Sequence, residues 1–157
     1  MAAGNKATGF RNYVLFGFIA GFLATIVFHQ LMLVLLWILH LSPFPPYSMN
    51  PVPPFGVPAV ISLAFWGGIW GIIFALIHER FPRHGAYWLA AFLFGAILPS
   101  LVALLVVLPL KGGLMGGGWH LPLLLTAFLV NGAWGIGTGL VLKWLSAWFS
   151  GLRDKKA

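Results

Sequence analysis

Four apolar stretches, each long enough to cross a lipid bilayer, constrain this chain more than any other feature. They run from about 13 to 41, 58 to 78, 86 to 110 and 121 to 149, with the apolar part of the last ending at Leu142, and the apolar core of each contains no Asp, Glu, Lys or Arg. A helix needs roughly 20 mostly apolar residues to span the hydrocarbon layer, and buried strands are shorter. The sequence therefore predicts an all-α integral membrane protein: a four-transmembrane-helix bundle in a single membrane domain, residues 1–157.

The composition excludes a water-soluble domain and limits the chemistry of the chain. Charged residues make up only 7% of it, whereas a soluble domain carries about 25%. There is no cysteine, and the only acidic residues, Glu79 and Asp154, lie outside the apolar cores. Carboxylate catalysis or carboxylate-based proton coupling within the bundle therefore has no candidate residue. A dyad of His29 with Ser62 or Ser100 would lack a third group to orient the base, so we expect no catalytic residues and no enzyme.

The placement of basic residues predicts the orientation. Eight of the nine fall at one side of the four stretches: Lys6, Arg11, Arg80, Arg83, Lys143, Arg153, Lys155 and Lys156. Only Lys111 falls on the other side. Because Lys and Arg are retained in the cytoplasm, we predict a multi-pass protein of the plasma membrane with both termini cytoplasmic. The basic face is expected to attract the anionic headgroups of membrane lipids.

The second and fourth stretches, and the first and third, resemble each other in sequence. At an offset of 64 residues, GGIWGI (67–72) meets NGAWGI (131–136), and Pro58 meets Pro122. At an offset of 74, Tyr13 meets Tyr87, and Gly21 meets Gly95. We interpret residues 13–78 and 86–142 as two parallel-repeat helical hairpins related by a pseudo-twofold axis along the membrane normal. The repeat either stabilises the bundle only or places a site on that axis.

Every stretch carries small residues spaced by four, which share one helix face. In lipid, such stripes let helix backbones approach closely, and this contact drives association. The glycines that we predict to pack between helices are Gly17, Gly21, Gly67, Gly71, Gly95, Gly135 and Gly139.

A few polar residues fall within the apolar stretches. At a rise of about 1.5 Å per residue, five lie at similar depth in the outer half and form a candidate polar layer: His29, Gln30, Ser62, Ser100 and Thr126. Thr25 and Asn131 are expected to form a smaller pair one turn below. The layer has two interpretations, namely hydrogen bonds between helices or a site for a substrate or ion around the ionisable His29.

The histidines do not favour a cofactor. The second unit has Ala103 where the first has His29, so a bis-histidine site in the bundle is absent. His40 and His120 both lie near the outer surface, where they could pair around a metal ion or haem. Interface histidines are usually just solvated, so we expect no cofactor and no metal.

The first outer loop, residues 41–58, holds seven prolines and no charged residue; we call it the proline loop. With Phe44, Tyr47 and Phe55 it is expected to cover the bundle as a lid or to dock on a partner. The second outer loop, 111–120, is glycine-rich but lacks a phosphate-binding pattern.

The chain resembles uncharacterised small four-span inner-membrane proteins of bacteria. The resemblance rests on the end of the proline loop with the following stretch (PPFGVPAVISLAFWGGIWGI) and on the matching motif NGAWGI. That resemblance implies no activity, cofactor or partner.

These features predict a non-enzymatic membrane protein, an accessory or assembly subunit of an inner-membrane complex. Its partners would be membrane lipids and either another protein or a second copy of the chain, with no nucleic acid. The alternative is a small carrier or channel for a neutral solute or lipid, working as a homodimer, with the polar layer as its site.

Overall fold

A computed structural model describes the backbone of residues 2–154 and the side chains of residues 13–149. The helices are α1 (Ala2–Ala24), α2 (Gln30–Ile38), α3 (Ala59–Ile77), α4 (Gly85–Val102), α5 (Leu108–Leu110) and α6 (Leu121–Asp154). Five of the basic residues used to predict the orientation lie outside the described side chains: Lys6, Arg11, Arg153, Lys155 and Lys156.

Short elements join these helices. The π turns Thr25–His29 and Ala103–Val107 connect α1 to α2 and α4 to α5, and the 3₁₀ turns are His78–Arg80 and Met115–Trp119. Two strands in the proline loop, β1 (Pro51–Val52) and β2 (Val57–Pro58), pair as an antiparallel hairpin.

The all-α class is confirmed, with four helical segments long and apolar enough to cross a membrane. They are span 1 (Tyr13–Ile38), span 2 (Ala59–Arg80), span 3 (Gly85–Leu110) and span 4 (Leu121–Phe149). We call spans 1 and 2 hairpin 1, and spans 3 and 4 hairpin 2.

Neighbouring spans run antiparallel, so the start of span 1 and the end of span 4 meet at one end of the bundle. There the rings of Phe16 and Phe149 lie 4.7 Å apart, and Tyr13 donates a hydrogen bond to the Glu79 carboxylate at the end of span 2. We call this the basic end, because Lys143 also lies there. The opposite end carries the proline loop and is called the loop end.

Helix backbones in direct contact hold hairpin 1 together. A Cβ on Gly21 would lie 2.8 Å from the Gly71 Cα and 2.9 Å from the carbonyl carbon of Gly67. A Cβ on Gly17 would lie 2.7 Å from the Gly71 carbonyl oxygen and 2.8 Å from the Ala75 Cβ. These distances are shorter than van der Waals contact, so no side chain fits between the helices. Close approach of this kind is what holds helices together in lipid.

Hairpin 2 has the same contacts at the corresponding positions. A Cβ on Gly95 would lie 3.0 Å from the Gly135 Cα and against the Asn131 carbonyl oxygen, and a Cβ on Gly135 would lie 3.1 Å from the Ala91 carbonyl carbon. The aromatic contacts also correspond, since Gly68 packs on Phe18 and Gly132 packs on Phe92. The same pairs of sequence positions, at the offsets of 74 and 64, therefore form the interface in each hairpin.

The two hairpins do not meet symmetrically. The backbones of spans 1 and 4 approach closely, whereas those of spans 2 and 3 stay apart. Span 4 has Gly137 and Thr138 where span 2 has Ile73 and Phe74. A Cβ on Gly137 would lie 2.8 Å from the Phe28 Cβ, so the glycine permits contact between spans 1 and 4. At the corresponding place in span 2, the buried Phe74 ring lies between spans 2 and 3, against Phe94.

Aromatic rings fill the space between spans 2 and 3. The fully buried Phe74 ring packs edge-on against Phe94 at 5.4 Å, against Phe81 at 5.3 Å and against Trp134 at 6.4 Å, measured between ring centres. Edge-to-face pairs at these separations are favourable beyond the area that they bury. This cluster is the main apolar core, and it lies towards the basic end.

Span 1 ends at Ile38 rather than near residue 41. His40 has a φ of 56°, and the Leu41 amide donates to the Leu36 carbonyl at 2.9 Å. A left-handed residue followed by such a bond closes a helix by satisfying its last carbonyls. The chain therefore leaves the helix at His40 although the apolar stretch continues.

We expect that Gly71→Leu and Gly135→Leu each destabilise the bundle by about 3 kcal/mol or more, the upper part of the usual cost of overpacking. The clash is with backbone, which cannot move aside as a side chain can. The measurement is thermal unfolding in detergent together with the yield of monodisperse protein. Gly85→Leu is the control, because nothing lies within 4 Å of a Cβ built on Gly85. If both variants unfold like the control, the glycine contacts do not hold the bundle.

Candidate functional site

The seven residues of the predicted polar layer and its smaller pair form separate groups in the structure. One group joins span 1 to the proline loop, a second joins spans 3 and 4, and Thr25 and Thr126 bond within their own helices. In the described part of the chain no hydrogen bond joins a polar-layer residue of hairpin 1 to one of hairpin 2.

Gln30 ties the proline loop to span 1. Its side chain is 1% exposed, and its Oε1 accepts a hydrogen bond from the Tyr47 backbone N–H at 2.6 Å. Its Nε2 lies 3.4 Å from the Nδ1 of the half-buried His29. Donation from the Gln30 amide makes Nδ1 the acceptor, so the ring proton of a neutral His29 lies on Nε2. The pair thus connects the loop backbone to the one ionisable side chain of the layer.

The π turn Thr25–His29 provides the second attachment of the loop. In an unbroken α-helix the Gln30 amide would donate to Ile26, but here it donates to the carbonyls of Thr25 and Val27. The Ile26 carbonyl instead accepts a hydrogen bond from the Tyr47 hydroxyl at 3.0 Å. Single π turns inside α-helices are rare and often occur at functional positions. Here the turn positions a backbone acceptor for a residue of the loop.

The loop in turn caps span 2. The first amides of α3, from Ala59 and Val60, donate to the carbonyls of Asn50 and Ser48 at 2.9 and 3.0 Å. A helix start leaves its first amides without intrahelical partners, and in an apolar setting each unsatisfied group is costly. The proline loop is therefore an integral part of the fold at the loop end.

Ser100 and Asn131 join spans 3 and 4. Asn131 Nδ2 donates to Ser100 Oγ at 3.0 Å, and Ser100 Oγ donates to the Ala127 carbonyl at 3.0 Å. Asn131 therefore bonds within hairpin 2 and not to Thr25, as the expected pair would require. Thr25 lies against Gly67 in hairpin 1 and donates to the Gly21 carbonyl at 2.9 Å. Similar depth alone does not bring side chains on different hairpins together.

The remaining threonines bond to their own helix. Thr126 donates to the Pro122 carbonyl at 2.7 Å, and Thr138 donates to the Trp134 carbonyl at 2.9 Å. Such back-bonding satisfies a hydroxyl in an apolar environment without any partner helix. Ser62 is half-buried in span 2.

A bond between the hairpins was missed by the sequence reasoning. The indole Nε1 of the buried Trp134 donates to the Gly21 carbonyl at 2.9 Å. That carbonyl also accepts the Thr25 hydroxyl. Trp70, which corresponds to Trp134 in the other hairpin, packs on the Phe94 ring at 6.3 Å. The two tryptophans occupy matching sequence positions, which suggested that they make equivalent contacts. Only the tertiary arrangement shows that their contacts differ.

Two tyrosines at the basic end each contact a charged residue, one of them acidic and the other basic. Tyr13 donates to the Glu79 carboxylate, whereas the Lys143 ammonium lies 3.5 Å from the centre of the Tyr87 ring and 4.5 Å from that of Trp88. A cation over an aromatic face is held by the ring quadrupole. Glu79 and Lys143 correspond at the offset of 64 residues. This correspondence, beside the matched tyrosines, was the sequence signal that could have revealed both contacts.

The structure offers no metal centre among the residues that it describes, since no three His, Cys, Asp or Glu side chains come together there. His40 lines an open cavity of about 350 Å³ with Trp37, Ser42 and Pro43 at the loop end. His120 is exposed in the second outer loop. The expectation of no cofactor and no metal stays a prediction.

The polar groups of the spans are therefore nearly all used inside the chain. Within its described part, the hydroxyl of Tyr87 is the buried polar side-chain atom that lacks a hydrogen-bond partner. The arrangement joins helices and fixes a loop, and it leaves His29 and Ser62 as the half-buried members of the layer. The chain matches no protein-family model, no curated protein and no solved structure.

We expect Tyr47→Phe to loosen the proline loop, because it removes only the hydroxyl that bonds to Ile26. The loss should be about 0.6–2 kcal/mol, the range for hydrogen bonds between helices in lipid. Hydrogen–deuterium exchange in detergent should accelerate at the amides of Ala59 and Val60, which the loop carbonyls cap. Phe55→Leu at the exposed hairpin tip is the control. Unchanged exchange in Tyr47→Phe would show that the loop is held by other contacts.

Proposed function

We propose that this chain is a non-enzymatic, multi-pass protein of the bacterial inner membrane that serves as an accessory or assembly subunit of a larger membrane complex. The observation that carries the proposal is the internal use of its polar side chains. Gln30, Ser100, Asn131 and Trp134 bind other parts of the chain. A side chain that already joins two helices has little capacity left for a substrate.

The surface of the spans supports insertion in a membrane. Large apolar side chains face outwards along all four spans, for example Leu31, Trp66, Leu89 and Leu125. Contiguous apolar surface of this extent is unfavourable in water and suits contact with lipid or with helices of another subunit. No buried charge and no soluble domain would compete with such a role in the described chain.

We further propose that the two hairpins are parallel repeats. The support is the identical set of positions at both interfaces, with Gly21 on Gly71 in one hairpin and Gly95 on Gly135 in the other. The symmetry does not extend to the contact between hairpins, where Phe74 replaces the Thr138 of the second unit. On this proposal, the two units have diverged at these positions, so that spans 1 and 4 pack closely and spans 2 and 3 do not.

The orientation follows from the basic end, which we place in the cytoplasm with its lysines and arginines near anionic headgroups. Because the chain has no cysteine, single-cysteine variants report on it directly. We expect Lys111→Cys to react with a membrane-impermeant maleimide in intact spheroplasts, and Arg83→Cys to react only after lysis. The reverse pattern would contradict the assigned orientation, and reaction of both without lysis would contradict a spanning arrangement.

The subunit proposal predicts a protein partner of fixed stoichiometry. The test is purification of the tagged protein from native membranes in mild detergent, followed by native mass spectrometry. We expect the partner to be retained by His29→Leu, whose ring makes only one weak contact, and to be lost by the packing variant Gly71→Leu. A lone monomer or dimer that holds a lipid or small solute would contradict the proposal.

The second candidate is a small carrier or channel for a neutral solute or lipid, acting as a homodimer. One observation favours it: His29 is half-buried, and its contact with Gln30 uses only Nδ1, so Nε2–H can donate to another molecule. The same mass spectra distinguish the two functions. A carrier should release its bound molecule in His29→Leu while the assembly stays intact, whereas the subunit should keep its protein partner.

A further inference from the structure

The proline loop presents an apolar surface that neither its contacts with the bundle nor the proposed function explains. Four of its side chains point outwards: Phe44, Met49, Phe55 and Val57. We call them the apolar face of the loop. Phe55, at the tip of the β1–β2 hairpin, is 86% exposed, and Met49 is 67% exposed. Exposed apolar surface of this kind marks a contact with a membrane or a protein.

The attachments of the loop determine its depth. Tyr13 and Glu79 are bonded at the basic end, and Ala59 begins its helix 20 residues before Glu79. At about 1.5 Å per residue, the start of span 2 lies about 30 Å from that end, which equals the thickness of the hydrocarbon layer. The loop carbonyls of Ser48 and Asn50 bind this helix start. The loop backbone is therefore held at the hydrocarbon boundary.

The Tyr47 side chain reaches below that level. Ile26, whose carbonyl its hydroxyl binds, lies 13 residues from Tyr13, or about 20 Å from the basic end. The tyrosine thus points into the outer half of the bilayer and keeps the loop folded down beside span 1. A loop built to bind a soluble protein would not need this attachment.

Charge also favours lipid as the occupant. No Asp, Glu, Lys or Arg occurs between residues 12 and 78, whereas the second outer loop contains Lys111. Leu41 at the start of the loop and Ile61 in the first turn of α3 are also exposed apolar residues. Large apolar side chains such as Phe bury at the boundary between headgroups and hydrocarbon in segments that lie on a membrane.

We propose that the apolar face of the proline loop inserts into the outer leaflet at this boundary, with Phe55 among the lipid chains. The loop then binds a lipid surface rather than a protein partner, and it anchors the loop end of the bundle in the membrane. This inference rests on the proposed insertion of the four spans in a membrane.

Site-directed spin labelling tests the proposal. Phe55→Cys and Met49→Cys would be labelled and reconstituted in vesicles of phosphatidylethanolamine and phosphatidylglycerol. Leu98→Cys, about 17 Å from the basic end on span 3, is the lipid reference, and Lys111→Cys is the aqueous reference. Power saturation compares access by oxygen, which partitions into lipid, with access by a water-soluble nickel chelate. We expect the oxygen-to-nickel ratio at both loop positions to be several-fold above that at Lys111→Cys.

Each other result has a distinct meaning. Nickel access at Phe55→Cys equal to that at Lys111→Cys would place the tip in water and overturn the proposal. A label shielded from both reagents would mean that protein covers the face, which also overturns it. Nickel access at Leu98→Cys would instead contradict the membrane insertion on which the proposed function depends, whatever the loop labels show.

Discussion

The backbone of span 1 rests directly on the backbone of span 2 at Gly21, where Gly67 and Gly71 leave no side chain between the helices. The Gly21 carbonyl, beside this contact, accepts both the Thr25 hydroxyl and the Trp134 indole. One residue thus joins the two helices of hairpin 1 and binds hairpin 2. On the proposed membrane insertion, lipid provides no hydrophobic force between helices, so the rest of the bundle depends on such contacts, and a Cβ here would disturb all of them.

The same principle explains why the hairpins are alike and their junction is not. Glycine or alanine at matching positions gives each hairpin the same interface, but Gly137 lets span 4 approach span 1 at Phe28, whereas the Phe74 ring lies between spans 2 and 3 against Phe94. The aromatic cluster around Phe74 fills the wider seam. The bundle is therefore asymmetric although its two hairpins are alike.

The polar residues take their roles from this packing. The estimated depths of His29, Gln30, Ser62, Ser100 and Thr126 placed them in one layer, but the hydrogen bonds of these residues in the structure stay within their own hairpin. Gln30 and Tyr47 hold the proline loop, and Asn131 holds Ser100. Tyr47 could not be assigned from the sequence, since its acceptor exists only where the π turn removes the usual donor from Ile26.

The sequence by itself determined the all-α class, the number and approximate limits of the four apolar helices and the small-residue faces, because these follow from the period of the helix and the thickness of the bilayer. It indicated the repeat through matched glycines and tryptophans. Only the tertiary structure decided which matched residues play different roles, such as Trp70 and Trp134, and where the proline loop lies. The roles of these residues and the position of the loop depend on the distances between helices. One different side chain in an interface changes those distances without changing the apolar pattern of the sequence.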